Sequence, residues 1–181
     1  ALSRLRQNAG AGRAPTPFPI AVGTSAGAIN AAALACGADH FDRSVQRLSR
    51  VWRNFCTSQV YRADAFGVMR SGARWLSLLT LGWALTRWHR SRPRSLLDNA
   101  PLLELLHREL PLHRIPHLLH SWHLSALAIS ASSYTTGEHM TFYEAGPHVP
   151  PWSRTQRRAL QDRITHQHLM ASSSIPFIFA P

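Results

Sequence analysis

Residues 23 to 27 read Gly23-Thr24-Ser25-Ala26-Gly27, a serine between two glycines in the spacing G-x-S-x-G. A serine hydroxyl is a poor nucleophile until it is exposed, oriented and served by a base. A sharp strand-to-helix turn supplies the first two conditions. Glycine is expected on both sides because side chains there would collide with the adjoining strand and helix, and because tight turns favour residues without a Cβ. A helix beginning just after Ser25 would aim its unpaired N–H groups, the Ala26 amide first, at any oxyanion forming beside the serine. The chemistry such a unit serves is acyl transfer through an acyl-enzyme. The same five residues could also form an ordinary turn, so the elements around them decide.

Those elements have the required order. Phe18 to Val22 is a short apolar run of the kind that forms a buried strand. Ala26 to Ala35 is rich in alanine and should be helical, ending near Gly37. Asp39 to Phe55 places Phe41, Val45, Leu48, Val51, Trp52 and Phe55 at the spacing of one helical face. A helical pattern interrupted by glycines follows over Ala63 to Trp88. A further helix is signalled by Asp98 or Asn99 as cap with Pro101 in the first turn. "HLSALAISAS" and "HMTFYEA" read as two strands joined by the polar turn "SYTTGE", and a short helical stretch follows Ile164. The order predicts an α/β domain with a mostly parallel central sheet covered on both faces in three layers.

Composition narrows the class. With 181 residues and 45% hydrophobic content, the chain has enough material for one packed domain. The net charge of +11 comes entirely from arginine against nine acidic residues, with no lysine. That bias reflects coding before it reflects a partner. No aromatic-basic RNA motif accompanies it, so no nucleic-acid partner is expected. Cys36 and Cys56 form neither a metal-type pair nor a disulfide framework, which suits a reducing, cytoplasmic compartment. The longest apolar stretch, Trp75 to Thr86, is about half of the roughly 20 residues a membrane span needs. The segment from Ala73 to Arg94 nevertheless combines Trp75, Trp83 and Trp88 with leucines and ends in arginines. It could pack on the domain as a core or lid helix, or lie in a membrane interface with its arginines on lipid phosphates.

The eleven histidines invite a second reading, in which Asp162 with His166 or His168 completes a serine triad in the chain order of α/β-hydrolases. The three lie within one short segment, which gives them little independent support. The remaining histidines lack metal-ligand spacing, and neither a metal nor a cofactor is expected. Ser172, Ser173 and Ser174 rival Ser25 only as a polar run, since no oxyanion site accompanies them.

"VGTSAGAINAAALA" closely resembles the nucleophile segment of the patatin-like phospholipases, including bacterial members, in which G-T-S-A-G precedes a small-residue helix. "HLMASSSIPFIFAP", from His168 to Pro181, resembles the family's A-S-x-A-x-P-x-x-F-x-P segment, and "PRSLLDNAPLLELL" its s-L-x-D-x-x-P-L helix start. The resemblance covers nearly everything from Phe18 onward and implies a single catalytic domain over residues 1–181. It further implies a lipid or phospholipid substrate, Ser25 as catalytic nucleophile and an aspartate base with no histidine. Gly23, Thr24, Ala26 and Gly27 would form the elbow and its oxyanion support. The family's glycine-rich oxyanion loop would precede residue 1. Its D-G-[GA] aspartate would follow Pro181, since no aspartate of these residues is followed by glycine. The 181 residues thus read as an interior, inactive piece of the domain, with the strand at Phe18 to Val22 left open at one edge. An acyltransferase, a histidine-triad esterase and a non-catalytic lipid-binding domain could each use the same elbow.

Overall fold

The computed structural model describes residues 16–53, 99–146, 149 and 153–174. The helical pattern over Ala63 to Trp88 and the tryptophan- and arginine-bearing segment 73–94 lie outside them. The described residues belong to two compact units, one drawing on 16–53 and 106–173, the other on 99–105 and Ser174.

The first unit holds a five-stranded sheet: β1 (Ile20–Thr24), β2 (Ala126–Ser132), β3 (His139–Ala145), β4 (Ser153–Arg154) and β5 (Arg157–Gln161), in the spatial order β1-β2-β3-β5-β4. β1 runs parallel to β2, and β3 parallel to β5. β2 with β3, and β4 with β5, are antiparallel. The helices are α1 (Ala26–Ala35), α2 (Phe41–Arg53), α3 (Ala100–Glu109), α4 (Ile115–His120) and α5 (His166–Ser173), with a 3-10 turn at Leu112–Arg114. The fold is α/β, as the alternation of strand and helix patterns implied.

The elements form where their side chains can be buried. On α1, Ala28, Ala31, Ala32 and Ala35 repeat at helical spacing and are buried, and their small side chains let the helix axis lie close to β1 and β2. Phe41, Ser44, Val45 and Leu48 bury the matching face of α2, and the Trp52 indole N–H reaches back to Asn30 Oδ1 at 2.7 Å. β2 is buried on both faces: Leu127 and Ile129 are fully covered, and Ala128 and Ser130, which alternate with them, are buried too. Such a strand reads as a continuous apolar run rather than an alternating one. Ala128, Tyr143 and Ala159, one from each of β2, β3 and β5, form a small core cluster of their own.

β1 lies at the margin of the described sheet. Its Ile20 and Val22 are 59% and 62% exposed, and together with Phe18, Leu34 and Leu124 they line an open cavity of about 290 Å³. The buried strand expected over Phe18 to Val22 is corrected in two respects: it spans Ile20–Thr24, and at the margin of the described sheet its Ile20 and Val22 are not covered.

Arg114 fastens the end of α1. Its guanidinium donates to the Cys36 carbonyl at 2.7 Å and to Asp39 Oδ2 at 2.8 Å, so a cation sits where the helix carbonyls lack partners. Burial of Cys36 pushes its thiol up to about 12, which makes it a packed, unreactive group.

Candidate active site

β1 ends at Thr24 and α1 begins at Ala26, so Ser25 alone makes the turn between them. Its backbone sits at φ 55°, ψ −127°. These are the dihedrals of the first central residue of a type II′ turn, where an L side chain is uncommon and glycine is preferred. The reversal is sharp because the Ser25 carbonyl, one residue beyond the strand, already accepts the Ala28 and Ile29 amides at 2.9 and 3.3 Å. The Ser25 side chain makes no capping hydrogen bond, and the residue is exposed. Its hydroxyl therefore stands at the helix N-terminus without serving the helix. The Ala26 and Gly27 amides precede the first intrahelical donor and carry the positive end of the helix dipole.

The two glycines have different roles. A Cβ on Gly23 would overlap the carbonyl carbon and oxygen of Gly27 and come within 2.6 Å of the Ala28 nitrogen, so the strand meets the helix there backbone to backbone. A Cβ on Gly27 would meet nothing within 4 Å. The expectation that both glycines are required to avoid collision holds at Gly23 and is corrected at Gly27, whose Cα faces open space. Thr24 is exposed and lies opposite Ser130 in the ladder, and Ala26 is exposed as the first residue of α1.

The Ser25 amide donates to Ser172 Oγ at 2.8 Å, and Ser172 Oγ donates to the Ser130 carbonyl at 2.6 Å. The C-terminal end of α5 is thereby joined to the elbow. The sequence places Ser172 in a polar run without a function. The usable signal was its membership of the second family-like block, which supplies no contact by itself.

The histidines of α5 are occupied elsewhere. His168 Nδ1 receives the Thr165 amide at 3.1 Å, its Nε2 faces Asp162 Oδ2 at 3.9 Å, and its ring lies on Phe142 with centroids 4.4 Å apart. His166 Nε2 contacts the Leu110 carbonyl at 3.0 Å, and its ring lies on His107 at 4.0 Å. Burial lowers the pKa of both rings. Asp162 and His168 do approach each other, but these contacts direct them toward β3 and the start of α5, and neither histidine hydrogen-bonds Ser25. Asp39 is held by Arg114 and by His40 Nδ1 at 3.0 Å. Among the described residues no helix is long and apolar enough to cross a membrane.

Comparison with curated proteins and with solved structures gave no match. The family model described as patatin-like phospholipase matches residues 1–181, the whole chain. That match, over a strand-turn-helix elbow with a serine at its apex, places the chain in the patatin-like phospholipase family, a family of lipid acyl hydrolases.

Proposed function

We propose that this protein hydrolyses acyl esters of lipids or phospholipids, with Ser25 as nucleophile. The observation that carries the reading is the Ser25 backbone: a glycine-like conformation held by a serine whose hydroxyl is exposed and free of capping duty at a helix N-terminus. Backbone outliers of this kind cluster at catalytic positions.

In the proposed reaction Ser25 Oγ attacks the ester carbonyl carbon while the base removes its proton. The carbonyl oxygen becomes an oxyanion beside the Ala26 amide. Collapse expels the alcohol, which takes up the proton, and leaves an acyl-serine. Water, activated by the same base, then attacks the acyl-serine and releases the fatty acid. Following the family resemblance, we assign the base to an aspartate of the D-G-[GA] pattern, in a Ser-Asp dyad; Asp39 is held by Arg114 and His40, and Asp162 faces His168. Residues 1–181 are taken as part of one catalytic domain, in keeping with the extent of the family match. The substrate is reached at a cytoplasmic membrane surface, with residues 73–94 as the peripheral contact, and neither a nucleic-acid partner nor a cofactor enters the reaction.

The test is labelling by a fluorophosphonate probe in the full chain. Ser25→Ala should abolish labelling and release of fatty acid while leaving the thermal melt unchanged. Labelling that survives the substitution overturns the assignment. Transfer of the acyl group to an added alcohol in place of fatty acid release would make the enzyme an acyltransferase.

A further inference from the structure

The sheet register shows what the Ser172 hydroxyl replaces. The Ala126 amide donates to the Pro19 carbonyl at 3.3 Å, and the Cα pairs run from Ile20 with Ala126 to Thr24 with Ser130. In a parallel ladder alternate residues of a strand direct both backbone groups at the neighbour. After the Pro19 carbonyl, the residues of β1 in this phase are Ala21 and Gly23, and the next in the series is Ser25. Continued by one step, the ladder would carry the Ser25 amide directly to the Ser130 carbonyl. Those two groups are instead joined through a single inserted oxygen, Ser172 Oγ. β1 is thereby wedged away from β2 at the residue where it turns into α1.

We infer that Ser172 is a positioning residue for the nucleophile: its hydroxyl, inserted between the Ser25 amide and the Ser130 carbonyl, releases Ser25 from the sheet and fixes the rotation of its backbone. The inference rests on the hydrolase reading above. A hydroxyl has one proton to give and lone pairs to receive. With its proton on Ser130, Ser172 can only accept from Ser25, so the direction of both bonds is set. The Ser25 amide fixes one end of the residue and the carbonyl, bound by Ala28 and Ile29, fixes the other. Between these two anchors φ and ψ have no freedom to relax out of the positive-φ region. The same anchors set the aim of the Ala26 amide and the direction of the Ser25 side chain, both of which matter in the transition state. Without the hydroxyl, and with a side chain of the same shape still standing between the strands, the Ser25 amide loses its partner and the residue keeps only one of its two anchors. The consequence is a loss in kcat rather than in substrate binding.

The test compares Ser172→Thr with Ser172→Val in the full chain, two side chains of nearly equal shape of which only the first carries the hydroxyl. Rates are expressed per fluorophosphonate-titrated Ser25 site, so that unfolded molecules do not count. We expect Ser172→Val to lower kcat by about 10- to 100-fold, the scale of a small misplacement of reacting groups, with KM within about threefold. Ser172→Thr should restore most of kcat. Hydrogen exchange of the Ser25 amide gives a readout independent of turnover: slow in the wild type and the threonine variant, at least about tenfold faster in the valine variant. An unchanged exchange rate in Ser172→Val overturns the bridge. Faster exchange with kcat within twofold of wild type overturns the positioning role. If the wild type shows no Ser25-dependent turnover, the hydrolase reading falls and with it the kinetic role, while the exchange experiment still decides whether the bridge exists.

Discussion

Gly23 and Gly27 meet backbone to backbone: the Gly23 hydrogen occupies the position from which a Cβ would strike the Gly27 carbonyl. Gly23→Ala must therefore push α1 off β1. Forcing a methyl into such a contact destabilises by about 3 kcal/mol, or roughly 6–12 °C in a chain of this size. Gly27→Ala has the opposite sign. Its Cβ enters open space in a helical turn, and replacing glycine there gains up to about 1 kcal/mol. Thermal melts of both variants decide the matter, and similar melts for the two would contradict the asymmetry.

Ser25 holds dihedrals that a glycine would adopt without strain. Ser25→Gly should therefore raise stability by about 1 kcal/mol while abolishing fluorophosphonate labelling. Chemical denaturation of the wild type and the Ala and Gly variants is the check: glycine should be the most stable of the three.

The Asp39 carboxyl is pulled in two directions. Partial burial disfavours its charge, but the His40 hydrogen bond and the Arg114 cation outweigh burial and hold it below the ordinary 3.8. A carboxylate whose pKa is depressed by folding adds stability above its unfolded value and loses it as pH falls through the folded one. Arg114→Ala removes the strongest cation and frees the Cys36 carbonyl. It should cost about 1–2 kcal/mol at neutral pH, since the pair is partly solvated. The cost should shrink as the solution is acidified below about pH 4, where Asp39 is protonated in the unfolded chain. Urea midpoints across that range measure it, and a cost independent of pH would separate Arg114 from Asp39.

His166 shows the reverse dependence. Burial lowers its pKa below 6.5, and nearby His107 adds to the effect against the opposing Leu110 hydrogen bond. The folded form therefore binds its proton less readily than the unfolded form. Stability is full above the unfolded value and falls as pH drops from about 6.5 toward the folded one. His168, lowered chiefly by burial, has the same sign. His166→Gln keeps an N–H for the Leu110 carbonyl but cannot titrate. Its stability should fall less steeply than that of the wild type between about pH 7 and 5. Parallel curves would show that His166 is equally protonated in both states.

The contribution of the tryptophan- and arginine-bearing segment 73–94 can be tested directly by vesicle co-sedimentation. Replacing Trp83, Trp88, Arg90 and Arg92 together should weaken binding to anionic vesicles at low salt, each arginine near the surface being worth on the order of 1 kcal/mol and screened as salt rises. Binding that is unchanged would assign the segment to packing alone.

The elbow was legible because every local signal agreed. The apolar run, the serine between small residues and the alanine tract specify a strand, a turn and a helix at Ala26–Ala35 without tertiary help. The β2–β3 hairpin was legible for the same reason, with a glycine at the tip adopting φ 70°. β5 was not. Its sequence is Arg157-Arg158-Ala159-Leu160-Gln161, of which only Ala159 is buried, so no alternation marks it. Its ladder to β3, through pairs such as Thr141 with Ala159, makes it a strand. The importance of Ser172 was hidden in another way. Three consecutive serines look alike in sequence, and only the helical phase of α5 against β2 selects the one that reaches Ser130.

The strain at Ser25 also sets the direction in which this position would drift. A residue whose backbone favours no particular side chain drifts in many directions once selection on it stops. Position 25 is different, because the residue the backbone prefers is one specific alternative, glycine. Serine codons of the AGY type are a single transition from glycine. A descendant freed from its chemistry should accordingly move to glycine at this position while its sheet, helix and Ser172 contact survive.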